Sequence, residues 1–302
     1  MRVASIVVLV LALTQGLGLS ALLAPEQAPP LPQWSRGTPE RFVLSGPVTT
    51  LDLASYYGPV TVEPGRGRVL QVELTKLTRV GLDKAAAERA AKVRLKPELR
   101  AGVLSLCTYG PEGEGGWMEV VDYEVRLLTP ASWHADASAG SGAPPLVRIK
   151  SRDGAVRLHR LRGRQEVNAI SGAVELEGLR GTAEIGTVEG AVTGVDLDWN
   201  RATVRSSGGN ITVGLRALSA QADLQLSSAI GNLKITLPKG ASCHVEADTT
   251  AGKVVTDLTE LKPGLRYGGR SLRGTLGKGE ARVKLQSTSG RIEITETAPP
   301  RD

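Results

Sequence analysis

The chain is 302 residues long, 41% hydrophobic and rich in glycine (36 residues), with only 3% aromatic side chains. That composition excludes a disordered chain and suits many tight turns around a thin aliphatic core. A net charge of +6 and a pI near 9.4 favour anionic partners without naming one.

The chain opens with "VASIVVLVLALTQGLGLSALLA", 22 uncharged residues ending at Ala24. As a helix this would measure about 33 Å, long enough to cross a bilayer. Residues 1–24 read as either a secretory signal, with a small-x-small site at Gly18-Leu19-Ser20, or an uncleaved membrane anchor. Both readings place the rest of the chain outside the cytoplasm, secreted, periplasmic or membrane-anchored. Residues 25–39, "PEQAPPLPQWSRGTP", read as an extended, proline-stiffened spacer.

The remainder repeats one phrase: alternation, a break at glycine, then alternation again. "LDLASYYGPVTV" centres on Gly58, "VRIKSRDGAVRLH" on Gly154 and "VNAISGAVELE" on Gly172. Further copies centre on Gly190, Gly209, Gly231, Gly252 and Gly290. From Gly154 onward the spacings are 18, 18, 19, 22, 21 and 38, the last close to two periods. Five residues before each glycine stand Leu53, Ile149, Val167, Ile185, Val204, Leu226, Ala247 and Leu285. Two after it, every residue is Val, Ile or Leu; three before it, every residue is Ser, Thr or Ala.

Period-two alternation means a strand with one buried face. Glycine at the corner is expected to supply backbone angles that other residues resist. Each period of 18–22 residues then makes one coil of two short strands, stacked on its neighbours at about 4.8 Å. The small hydroxyl column belongs near the corner, where a larger side chain would not fit. The expected fold is all-β, a repetitive β-solenoid resembling a single-stranded β-helix, regular from about residue 146. Between the first copy and this array, "GLDKAAAERAAKV" (81–93) reads as a short helix. "AGVLSLCTYG" and "VVDYEVRLLTP" read as strands. "KPGLRYGGRSLRGTLGKG" (262–279) reads as a basic surface loop, and 297–302 as a tail.

These coils, the helix-like insertion and the closing "GEARVKLQSTSGRIEIT" resemble the bacterial β-strand-repeat family labelled "putative adhesin", a domain of unknown function. "VDYEVRLLTPASWHADASAGSG" is similar to the segment leading into that family's repeats, and "VNAISGAVEL" to the repeat itself. The resemblance spans about residues 40–296. It implies the solenoid fold and brings no catalytic motif.

Two constellations bear on chemistry. Glu166 and Glu184 both lie six residues before their glycines, which makes them neighbours in adjacent coils. Their column also holds Arg148, Thr203 and Gln225. Paired-carboxylate glycoside chemistry needs a cleft that separates two pKa values, and nothing in the pattern supplies one. His134, His159 and His244 are scattered and match no triad position. No cofactor or metal site is expected, and the two cysteines have no zinc-ligand spacing. In an exported chain an even cysteine count permits a disulfide, so Cys107–Cys243 is a candidate beside the plainer reading of two thiols.

The second constellation is the run Leu146–Gln165, which holds Arg148, Lys150, Arg152, Arg157, Arg160, Arg162 and Arg164 against Asp153 alone. It is a candidate anion-binding stripe for phosphate or carboxylate groups. The plainer reading is a charged outer face that blocks edge-to-edge aggregation. The expected protein is a non-enzymatic, adhesin-like envelope or surface module. Its expected partners are an anionic polymer, lipid head groups or a surface protein, with membrane association through the N-terminal segment. Nucleic acid fits poorly, since no aromatics interleave with the basic residues. A carbohydrate-active β-helix enzyme using Glu166 and Glu184, and a structural or signalling envelope protein, are the alternatives.

Overall fold

The computed structural model describes residues 33–108, 120–135, 144–266 and 269–297. The hydrophobic segment 1–24 lies outside them. Of the residues read as spacer, Trp34 to Pro39 belong to the strand Trp34–Leu44, which pairs antiparallel with Leu70–Arg79.

The protein is all-β, with one α-helix, Lys84–Lys92, among the described residues. Each copy of the phrase sets one strand before its glycine and one after it. The copy at Gly172, for example, contributes Arg162–Ala169 and Val174–Glu177. Pre-glycine strands pair in parallel with one another: Ile149↔Val167↔Ile185↔Val204↔Leu226 lie side by side. Post-glycine strands form a second ladder, Val156↔Val174↔Val192↔Ile211↔Leu233. These columns are buried between the two ladders and make the core.

The order of the copies departs from the order of the chain. The Gly290 copy does not follow Gly252; it lies between the Gly231 and Gly252 copies. Leu285 pairs with Leu226 on one side and Ala247 on the other, and Ile292 with Leu233 and Val254. The 38-residue interval is therefore an excursion out and back, with no degenerate turn. Its outer part is not the expected loop. Lys262–Arg266 and Gly269–Leu276 form an antiparallel hairpin laid against Cys243–Thr249, covering what would be an open edge.

At the other end the Gly58 copy pairs directly with the Gly154 copy, Leu53 with Ile149 and Val60 with Val156. Val103–Cys107 and Val121–Thr129 add one layer beyond it. Antiparallel strands then close this end, as capping elements do in repeat proteins. The expected helix packs here through Ala86 and Ala90, with Asp83 capping its N-terminus. Lys76 Nζ donates to the Ala90 and Val93 carbonyls at its C-terminal end.

The corner glycines serve a purpose other than the expected one. None of the eight has a positive φ. A Cβ on Gly172 would sit 2.1 Å from the Gly154 carbonyl oxygen, and one on Gly190 2.1 Å from that of Gly172. The same clash recurs at Gly154, Gly209, Gly231, Gly290 and Gly252, in the order of the stack. Backbone lies directly on backbone, and only a residue without Cβ allows it. The hydroxyl column beside it is buried and tied to the same glycines. Ser55 and Ser151 donate to the Gly58 and Gly154 carbonyls at 2.6 Å, and Ser206 accepts from Gly209 N–H at 2.7 Å.

Along the stack, the N–H group before each glycine donates to a carbonyl of the neighbouring copy, and at Gly154, Gly172 and Gly190 the glycine N–H does so too, as Asp153 and Gly154 do to Tyr56. At the Gly58 copy the Asp122 carboxylate takes over that role. Its Oδ2 accepts from Tyr57 N–H and, at 3.0 Å, from Gly58 N–H; its Oδ1 accepts from Tyr123 N–H at 2.6 Å. Burial pushes the Asp122 carboxyl above the usual range, against the pull of these bonds.

Cys107 and Cys243 do not form the candidate disulfide. They lie on strands eight steps apart in the pre-glycine ladder, or about 38 Å at one strand spacing, whereas bridged Cα atoms lie within about 7 Å.

Candidate functional face

The basic run Leu146–Gln165 wraps around one copy and does not line a single stripe. Arg148 and Lys150 stand on the outer face of the pre-glycine ladder, and Arg152 at the glycine corner. Arg157 stands on the other ladder, Arg160 at the next corner with φ 51°, and Arg162 and Arg164 begin the following strand. Outward on the two ladders means opposite directions, so alternation alone disperses these charges.

Much of the run is also neutralised between copies. Arg148 Nε donates to Glu166 at 2.8 Å, which holds its guanidinium protonated more firmly, and approaches Asp52 at 3.9 Å. Arg164 Nε lies 2.7 Å from Glu166, and Arg157 Nε 2.9 Å from Glu175. Arg152 lies 3.6 Å from Asp153 and 4.4 Å over the Tyr56 ring, within a corner cluster completed by Tyr57 and Trp34. Among the described residues Lys150 and Arg160 make no ion pair. The seven residues therefore divide into ladder partners and separated charges.

Glu166 and Glu184 are the direct neighbours expected. Arg148 and Arg164 engage both oxygens of Glu166, and Arg164 reaches Glu184 at 3.8 Å. The pair is a rung of the surface ion-pair ladder. His159 faces Glu177 at 3.1 Å, and His244 faces Thr275 at 2.8 Å. Among the described residues no cluster of His, Cys, Asp or Glu could hold a metal, and no helix is long and apolar enough to cross a membrane.

A different basic face is built by the intercalated copy. On the pre-glycine ladder, Arg201↔Asp223↔Arg282, Thr203↔Gln225↔Lys284 and Arg205↔Ser227↔Gln286 form three adjacent rows. Arg201, Arg205 and Arg282 are exposed, Lys284 is half-buried, and none has an ion pair among the described residues. Had the copies stacked in chain order, Glu246 and Asp248 would lie beside Gln225 and Ser227 instead. They lie one strand further on, within reach of Arg273 at 2.8 and 4.0 Å. The sequence reading missed this face because Arg282 and Lys284 are some eighty residues from Arg201 and Arg205.

Next to it, towards the glycine corner, runs an open groove of about 580 Å³. It crosses five copies and is lined by Thr187, Arg205, Ser207, Ser227, Asp248 and Gln286, among others. Gly186, which has no side chain, and the small Ser227 leave room in the lining, which also includes Arg205 and Gln286.

Three solved structures are similar over most of this chain. A "putative cell adhesion protein" from Clostridium sporogenes is 12% identical, covering 86% of this chain and 99% of its own, with a TM-score of 0.32. A "putative adhesin" from Bacteroides fragilis is 9% identical over 87% and 98%, with a TM-score of 0.39. A "putative lipid binding protein" from Parabacteroides distasonis is 10% identical over 87% and 98%, with a TM-score of 0.35. No curated protein matches. The model of the Toastrack DUF4097 family matches residues 146–295, the regular array, but not the capped N-terminal part that the resemblance also included. Residues 146–295 are thus similar to the Toastrack DUF4097 family.

Proposed function

We propose that this protein is an exported, non-enzymatic module of the cell envelope or surface that engages an anionic partner. In this reading the fold is a β-solenoid of 18–22-residue coils, a rigid stack that presents its outer faces, and the N-terminal segment directs or tethers it outside the cytoplasm. The reading rests on one observation: Arg201 and Arg205 on one strand, and Arg282 and Lys284 on the next but one, share a face with no ion pair among the described residues. Elsewhere on the faces, several cations pair with neighbouring copies, as in Arg157–Glu175 and Lys234–Glu293. A cluster of unpaired cations raises the local concentration of anions, and salt screens the effect over a Debye length of about 10 Å at 0.1 M.

The test is binding of the full chain to polygalacturonate, polyglutamate and phosphatidylglycerol vesicles across a range of salt. The R201Q/R205Q/R282Q/K284Q variant is expected to lose salt-sensitive binding. R148Q/K150Q/R152Q/R157Q, which alters the run read from sequence, is expected to keep most of it. Binding that ignores both salt and the first variant would overturn the proposal.

A further inference from the structure

The groove beside the basic face has a lining of unusual chemistry for its size. Ser207, Ser227, Thr250 and Thr288 supply hydroxyls, joined by Gln286, Asp248 and Arg205, over a floor of the buried Thr187, Ser206, Ser228 and Ser287. Among the described residues no aromatic ring and no large aliphatic side chain lines it. That excludes a lipid tail, which needs apolar walls, and a single-stranded nucleic acid, which needs stacking platforms. The strands beneath it are already paired on both sides, so an extended peptide finds no free edge to join.

Two polar atoms buried beneath the groove lack partners. Thr187 is 6% exposed and its Oγ1 makes no hydrogen bond. Its counterparts in neighbouring copies are all engaged: Ser206 with Gly209, Ser228 with the Gly209 carbonyl, Ser287 with that of Gly231, and Thr249 with that of Gly290. Asp248 Oδ1 is likewise buried without a partner. Both atoms are sealed from the groove, so its binding surface is made by the exposed Ser207, Thr250, Gln286 and Thr288 and the half-buried Ser227.

We propose that this groove binds an acidic glycan, laid along the stack axis across the strands. The inference rests on the anion-binding reading above and names the class of polymer. Successive copies present their polar side chains at one strand spacing, about 4.8 Å, comparable with the length of one sugar unit in an extended chain. Hydroxyls, the Gln286 amide and the Asp248 carboxylate pair with sugar hydroxyls, and the Arg205 guanidinium with an acidic group on the chain.

The experiment compares three probes by calorimetric titration of the full chain. Octagalacturonate has charge and hydroxyls, its methyl ester has hydroxyls alone, and octaglutamate has charge alone. Two uncharged groove-filling variants, Thr250→Leu and Ser207→Leu, are titrated alongside, with circular dichroism to establish that each folds. Octagalacturonate is expected to bind at least tenfold more tightly than octaglutamate. Each variant is expected to lose that advantage while its octaglutamate affinity stays unchanged. Equal affinity for the two acidic probes, unchanged in the variants, would overturn the glycan inference and leave the anion-binding face standing. Absence of binding to either acidic probe would overturn both.

Discussion

Gly208 and Gly209 are adjacent in "SSGGN", yet an added methyl group should have opposite consequences at the two. A Cβ on Gly208 would meet the Val188 carbonyl oxygen at 3.5 Å, an ordinary contact, and its φ suits any residue. Gly208→Ala should therefore be neutral or stabilising by up to about 1 kcal/mol, through lower entropy of the unfolded chain. A Cβ on Gly209 would sit 2.1 Å from the Gly190 carbonyl oxygen, so the two copies must separate by about 1 Å. The flanking bonds Gly208 N–H to Val188 at 2.7 Å and Val192 N–H to Asn210 at 2.9 Å do not survive that displacement. Two lost backbone hydrogen bonds cost about 2 kcal/mol together. Overpacking in a well-filled stack adds about 1–3 kcal/mol, for a total of about 3–5 kcal/mol. Equilibrium urea unfolding of the two variants beside the native chain measures the difference directly. Stabilities within about 1 kcal/mol of each other would refute the argument that backbone stacking, rather than corner conformation, demands glycine at this position.

Three further outcomes follow from Asp122 and the two cysteines. Because burial raises the Asp122 carboxyl in the folded state, the stabilisation linked to its proton is full below the unfolded carboxylate range and is lost as pH rises through the folded value. The stability of the native chain minus that of Asp122→Asn should therefore fall as pH rises from about 3 to 7, and a rise would mean that its three N–H donors outweigh burial. The Cys243 thiol is fully buried and pushed up to about 11 by desolvation, so it should resist iodoacetamide in the folded protein. After unfolding without reductant, both cysteines should titrate as thiols; a lower count would contradict their placement at distant strands.

Much of the architecture was legible before any coordinates. Alternation, a glycine at each corner and the constancy of the Val167, Ala169 and Val174 columns specified parallel strands in register, and their pairing follows those columns. That information is local: each copy carries its own buried face and its own need for neighbours. The Glu166–Glu184 contact was legible for the same reason, since it joins consecutive copies. The order of the copies was not. All of them offer nearly the same edge, so periodicity has no term that distinguishes Gly252 from Gly290 as the next neighbour of Gly231. The choice depends on closing the end with the 262–276 hairpin, and it places Lys284 where chain order would place Glu246. The reading of the basic run went astray on a related point. Sequence counts seven cations in twenty residues, but the path around the core points them in different directions and sets Glu166 and Glu175 against three of them. Sequence thus determined the repeating unit and its buried columns, because side-chain alternation is a property of one strand. Tertiary structure alone decided which charges remain unpaired and share a face, because that depends on which copies become neighbours.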